Sequence, residues 1–87
     1  MNTRGMTTDE GIHSKISALV AREHELRQLL QAHEIEPDDE RAQLRDIEVQ
    51  LDQCWDLLRQ RDALRSSGGD PDSAAVRPAS EVEGYLG

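Results

Sequence analysis

The sequence predicts an all-α fold, an antiparallel two-helix coiled-coil hairpin with a mostly irregular C-terminal tail. Two segments carry apolar residues at alternating three- and four-residue spacing, which places them on one stripe of a helix. A connection of only about four residues joins the segments, and such short connections make helices antiparallel neighbours. One register also pairs both apolar stripes.

The first helix is predicted over about residues 9–33, after a flexible lead at residues 1–8. Thr8 or Asp9 supplies a capping oxygen, and acids follow in the first turn, where the helix dipole favours them. Glu23 takes one position of the apolar stripe. Because an unpaired buried carboxylate is costly, we expect Glu23 to reach the rim beside Arg27; the alternative is that it fixes the register of the hairpin. The apolar stripe consists of Ile12, Ile16, Leu19, Leu26 and Leu30.

The second helix is predicted over about residues 37–67. Pro37 suits the first helical position, Glu36 is a weak cap, and Gly68 and Gly69 end the helix. Its stripe consists of Leu44, Ile47, Leu51, Cys54 and Leu58.

The register follows from a turn centred on Ile35, because the numbers of facing residues must then sum to about 70. The stripes satisfy this condition without further adjustment. A hairpin with only four or five apolar layers is marginal alone, since each buried side chain contributes about 1.5–3 kcal/mol against the ordering of the chain. The facing pairs are Ile12 with Leu58, Ile16 with Cys54, Leu19 with Leu51, and Leu26 with Leu44.

Further apolar residues widen the stripe on both flanks, beyond what one partner helix covers. Either the tail folds back over a flank, or two hairpins form a homodimer as a four-helix bundle, and we favour the homodimer. Trp55 is bordered by Leu58 and Arg59, and a tryptophan in such surroundings is typical of an interface anchor. Alternatively, the tail or Val20 covers Trp55 within one chain. The interface candidates are Val20 and Trp55 on one flank, Leu29, Leu57 and Leu64 on the other, and Tyr85 in the tail.

The tail, residues 68–87, is rich in Gly, Pro, Ser and acids and is expected to be largely irregular. Its last apolar residues, Val82, Tyr85 and Leu86, have helical spacing. They predict either a short docked turn of helix at about 80–86 or a disordered terminus.

The net charge of the chain limits the classes of partner that it can bind. Among 87 residues, 18 acids outnumber 10 bases for a net charge of −8, which argues against direct binding to nucleic acid or to anionic membranes. No run of about 18 consecutive apolar residues occurs, and residues 1–11 lack the apolar stretch of a secretory signal, so we expect neither a membrane span nor a secretory leader. With one cysteine, the chain has no internal disulfide, so we expect a cytoplasmic protein.

The sequence predicts no catalytic residue, no cofactor and no metal site, and hence no enzyme. Cys54 lies on the apolar stripe, where burial raises a thiol pKa and blocks access. Glu10 and His13 have the spacing of a carboxylate-bridged metal bundle, but the other ligands of such a site are missing.

An acidic tip at the turn suggests a second interpretation. By analogy with bacterial transcript-cleavage factors, an acidic coiled-coil tip would regulate a nucleic-acid enzyme such as RNA polymerase through its catalytic Mg²⁺. The alternative is a solvated turn whose acids interact favourably with the positive end of the dipole of the second helix. The acids of the tip are Glu34, Glu36, Asp38, Asp39 and Glu40.

The run QLDQCWDLLRQ from Gln50 to Gln60, with REHELR before it and GDPDSAAVRP and EVEGYL after it, resembles a small family of uncharacterised proteins. That family is a domain of unknown function found mainly in high-GC Gram-positive bacteria. The resemblance covers nearly all of the chain from Ile12 to Leu86 and implies no activity. The expected function is therefore a non-enzymatic helical interaction or adaptor protein that self-associates through the hairpin flanks and meets a protein partner of unknown identity.

Overall fold

The computed structural model describes residues 8–78. Helix α1 spans Asp9–Gln31, helix α2 spans Pro37–Ser66, and a 3₁₀ turn spans Pro71–Ser73. The two helices pack against each other, and no strand occurs within residues 8–78. The predicted all-α hairpin is confirmed, with helix ends one or two residues earlier than the sequence indicated.

The cap at the start of α1 follows the sequence prediction, and the cap of α2 is weak. Thr8 Oγ1 accepts a hydrogen bond of 3.0 Å from the backbone N–H of Gly11. Glu36 makes no capping bond through its side chain, and Pro37 stands at the first position of α2. The start of α2 therefore depends on proline geometry and on the acids of its first turn.

Both helices end in the same backbone motif. The N–H of Glu34 donates to the carbonyl of Leu29 at 2.8 Å, and the N–H of Gly69 donates to the carbonyl of Leu64 at 2.7 Å. The residue before each donor is left-handed, with φ of 59° at His33 and 81° at Gly68. This is the Schellman motif, which favours glycine at the left-handed position. α1 thus ends on a residue that the motif disfavours.

The core lies between the helices near the open end of the hairpin. Ile12 and Ile16 are buried with Cys54, and Leu19, Leu51 and Leu58 pack against them. The Nε of Arg61 donates to Asp9 Oδ1 at 2.6 Å, another pair whose numbers sum to 70. Toward the turn, Leu26 and Ile47 are buried as well.

Glu23 lies at the rim of the apolar stripe beside Arg27, as the first of its two interpretations predicted. Its side chain is 17% exposed, and its Oε2 lies 3.9 Å from Arg27 Nη2. The carboxylate therefore reaches the rim of the stripe beside Arg27, where water still solvates it.

Candidate functional site

The segment after α2 folds back over one flank of the hairpin. We call residues 70–78 the strap. Asp56 of α2, only 2% exposed, anchors it by accepting hydrogen bonds from both Nε and Nη2 of Arg77, the first at 2.9 Å. Gln60 Nε2 donates to the same carboxylate at 2.9 Å. A carboxylate so deeply buried requires these donors, because an unpaired buried charge is costly.

Two glutamines bind the backbone of the strap. Gln60 Nε2 donates to the carbonyl of Ala75 at 2.8 Å, and Gln53 Nε2 donates to the carbonyl of Arg77 at 3.2 Å. The strap therefore runs antiparallel to α2, from the end of the helix toward its middle.

Arg61 joins α1, α2 and the strap at the open end of the hairpin. Besides Asp9, its Nη1 donates to the carbonyl of Pro71 and to Asp72 Oδ1, each at 3.1 Å. Arg65 Nη2 donates to Asp9 Oδ1 at 2.7 Å. Arg61 is only 6% exposed, so this cluster closes the end of the core.

These contacts lower the pKa values of two carboxyl groups. The hydrogen bond from Arg77 lowers the pKa of Asp56, although burial opposes the shift. The hydrogen bonds from Arg61 and then Arg65 lower the pKa of Asp9. Both carboxylates are thus held ionised in the folded chain.

The strap decides which flank of the hairpin stays open. Leu57 is 5% exposed and belongs to the core together with Ala74 of the strap, and Leu64 packs against it. Leu57 is therefore a core residue and does not present an exposed anchor, because the strap buries it within one chain. Leu29 is half-buried, and Tyr85, like the predicted turn at 80–86, lies outside the described residues.

The opposite flank carries the exposed apolar residues of the hairpin. Trp55 is 45% exposed and Val20 is 39% exposed. The ring of His13 meets Trp55 edge to face, with 6.2 Å between ring centroids. Asp52 and Arg59 share this side of α2 by helical spacing. We call the surface formed by His13, Val20, Asp52, Trp55 and Arg59 the Trp55 face. A shallow depression beside Trp55 is lined by Asp9, His13, Leu58, Arg59, Asp62 and Arg65.

A second depression lies along the strap on the other side of the hairpin, and we call it the strap groove. Its free volume is about 130 Å³. Burial raises the pKa of the Cys54 thiol at its floor, which favours the unreactive protonated form. The groove is lined by Ile12, Lys15, Gln50, Gln53, Cys54, Leu57 and Val76.

One of the five acids predicted to form the acidic tip is buried in the structure. Glu40 is 7% exposed, because it lies one turn before Leu44 on the inward stripe, and it does not belong to an exposed tip. The interpretation as an acidic-tip regulator stays a prediction. Between residues 8 and 78, no group of three or more His, Cys, Asp or Glu side chains is arranged to hold a metal ion. The exposed acids of the tip are Glu34, Glu36, Asp38 and Asp39.

The sequence reasoning missed the residues that hold the strap. The sequence pattern of α2 places polar residues on the side away from the apolar stripe, which is typical of an amphipathic helix. These residues include Asp56, Gln60 and Arg61. One signal was available, since Arg77 is the only basic residue in the acidic tail and stands out as a partner for a carboxylate of α2.

The fold and its surfaces define a small helical-hairpin protein whose own tail covers one flank and leaves a tryptophan exposed on the other. Within the part of the chain that the structure describes, no helix is long and apolar enough to cross a membrane.

The chain belongs to the family described as "Protein of unknown function (DUF2630)", whose model matches residues 8–87, and this confirms the resemblance. It is 56% identical over 80 residues to uncharacterized proteins of Mycobacterium bovis and of Mycobacterium tuberculosis, with 92% of each chain covered. No solved structure matches the chain.

Proposed function

We propose that this protein is a non-enzymatic helical interaction protein of the cytoplasm that self-associates through the Trp55 face. The single observation that carries the proposal is the exposure of Trp55 on the flank that the strap leaves open. The exposure of a large aromatic side chain to water is unfavourable, and such side chains supply much of the binding free energy of many protein interfaces. A free and buried Cys54 supports both the reducing compartment and the absence of a thiol-based activity.

The Trp55 face is self-complementary in charge. Asp52 precedes Trp55 by three residues and Arg59 follows it by four, so the acid and the base flank the ring along α2. In a two-fold dimer the same patch meets itself. If two α2 helices cross antiparallel at Trp55, Arg59 of each copy lies near Asp52 of the other, with Val20 and His13 at the edge.

Removing the ring tests the proposal directly. Trp55→Ala is expected to weaken dimerisation by about 2 kcal/mol or more, or about thirtyfold in Kd. Multi-angle light scattering across a concentration series measures the mass. Val76→Ala, at a residue 61% exposed on the opposite side, is the matched control and should leave the dimer unchanged. A monomeric wild-type protein, or an unaltered mass after Trp55→Ala, would refute the proposal.

A charge exchange tests the arrangement. Asp52→Arg and Arg59→Asp each place like charges across the interface, so each variant should dimerise more weakly than the wild type. Their equimolar mixture should recover the dimer, because the mixed pair restores both opposite-charge contacts. Positions 52 and 59 are two turns apart on one helix, so contacts within a chain do not account for such recovery.

A further inference from the structure

The strap is held by the kind of contacts that bind an extended peptide. Gln60 and Gln53 of α2 donate through their side-chain amides to the carbonyls of Ala75 and Arg77, at 2.8 Å and 3.2 Å. Every residue has a backbone carbonyl, so these two bonds hold an extended segment whatever its sequence. Specificity then comes from the side chains that enter pockets between the backbone contacts.

Two side chains of the strap occupy defined positions on α2. Ala74 is buried in the core beside Leu57, where a larger side chain would have to displace its neighbours. Arg77, three residues later, donates from Nε and Nη2 to the two carboxylate oxygens of Asp56. Such two-point pairing requires a planar guanidinium, and lysine cannot reproduce it. This flank of α2 therefore recognises a small residue followed three positions later by arginine.

The strap side chain between these two positions leaves space unfilled. Val76 lines the strap groove, yet it is 61% exposed. The groove keeps a free volume of about 130 Å³, with Ile12, Cys54 and Leu57 in its lining. A dry cavity of roughly 150 Å³ accepts a benzene-sized group. An apolar side chain larger than valine would therefore bury more surface in the groove than the strap does.

Release of the strap requires little rearrangement of the hairpin. The chain leaves α2 through Gly68, which is left-handed, and Gly69. Ala74 is the only buried hydrophobic residue within residues 70–78, and hydrogen bonds to water can replace the polar contacts of the strap at modest net cost. Segments with few buried apolar contacts open locally while the rest of a fold stays intact.

From these contacts and the unfilled groove, we propose that this flank is a peptide-binding site that the strap occupies as an intramolecular ligand. The partner is an extended segment of another protein that carries, in succession, a small residue, any residue, a large apolar residue and an arginine. The segment replaces the strap and fills the strap groove. The strap site consists of Gln53, Asp56, Leu57, Gln60 and the strap groove.

Charge complementarity selects an arginine-bearing partner. The Asp56 carboxylate is only 2% exposed, so a segment that covers it must bring its own cation. The strap site lies on the flank opposite the Trp55 face. The proposal therefore does not depend on self-association of the hairpin.

Peptide titration of the full chain carrying Arg77→Ala tests the proposal, because this variant lacks the side chain that pairs with Asp56. The probe is a synthetic peptide with the sequence of residues 70–78 and leucine in place of Val76. In NMR spectra of the labelled protein, we expect saturable shifts of the side-chain amide signals of Gln53 and Gln60. The peptide that retains valine should bind about fourfold more weakly, which is the effect of one buried CH₂. A peptide with lysine at the arginine position should bind about tenfold more weakly or worse.

Three results of this titration would overturn the proposal. They are the absence of the amide shifts, shifts confined to the Trp55 face, and equal binding of a peptide with alanine at the arginine position. The wild-type chain gives a second measurement that needs no destabilised variant. Excess leucine peptide should displace the strap and move the Nε–H signal of labelled Arg77 toward its solvent-exposed position. A signal that stays in place above the millimolar effective concentration of a tethered segment would contradict the proposal.

Filling the groove from within the chain gives an independent readout. Val76→Leu should slow the reaction of Cys54 with a soluble disulfide reagent about fourfold, because the closed strap gains one buried CH₂ over the groove floor. Ala75→Leu, at the exposed neighbouring residue, is the matched control and should leave the rate unchanged. Equal rates in the two variants would show that the groove is not an unfilled part of the site. Cross-peaks between Val76 of one copy and Ile12 of another, in an isotope-filtered spectrum of mixed labelled and unlabelled wild-type protein, would assign the site to a second chain's strap and also overturn the proposal.

Discussion

Arg77→Ala tests whether the strap is part of the folded unit. The substitution removes both guanidinium hydrogen bonds to Asp56 and leaves a carboxylate that is 2% exposed with Gln60 as its remaining donor. Breaking one side of a buried pair costs about 3–5 kcal/mol, but the Arg77 side chain is itself 31% exposed and the freed carboxylate gains water when the strap lifts. We therefore expect a loss of about 2–3 kcal/mol in the free energy of unfolding.

Urea denaturation followed by circular dichroism measures this loss, with Arg41→Ala as the matched control. Arg41 lies near the start of α2 with its side chain 77% exposed and its Nη1 4.0 Å from Asp38 Oδ1, so its removal should change stability by less than about 0.5 kcal/mol. Adding Asp56→Asn to Arg77→Ala should cost little more, because the pair acts as a unit. Equal stabilities for Arg77→Ala and Arg41→Ala would show that the strap does not contribute to the fold.

Three further outcomes follow from the fold. Asp9 and Asp56 have lowered pKa values in the folded state, so their contribution to stability is complete above the unfolded aspartate pKa of about 3.9 and is lost as the pH falls below it through the folded values. The melting temperature should therefore fall more steeply below about pH 4 in the wild type than in Arg77→Ala. His33→Gly should stabilise the chain by about 1 kcal/mol in urea titrations because His33 is left-handed, whereas Gly68→Ala should destabilise it. Leu26→Ala, at a side chain with no exposure, should cost about 2–5 kcal/mol by the same titrations, and a cost below about 1 kcal/mol would contradict its place in the core.

The hairpin could be predicted because its signals are periodic and mutually consistent. Ile12, Ile16 and Cys54 follow helical spacing, and a short turn leaves one register that buries all three. The left-handed end of α1 at His33 was not predictable, since the sequence carries glycine only at the corresponding position of α2.

The strap was harder to predict because it depends on single polar contacts between residues far apart in sequence. Asp56 and Arg77 are 21 residues apart, and neither belongs to a repeating pattern. On α2 alone, Asp56 has the spacing of a solvated charge; it is buried only after the tail brings an arginine to it.

The sequence by itself determined that the chain forms a hairpin, which residues face each other across it, and that both flanks carry apolar side chains. These properties follow from the helical period and from the length of the connection. Only the tertiary structure decided which flank the tail covers. Arg77 meets Asp56 on the side of Leu57, so Leu57 becomes core and Trp55 remains exposed. The physical reason is that Gln53, Gln60 and Asp56 hydrogen-bond the strap on that side, and the strap in turn buries Asp56 and Leu57.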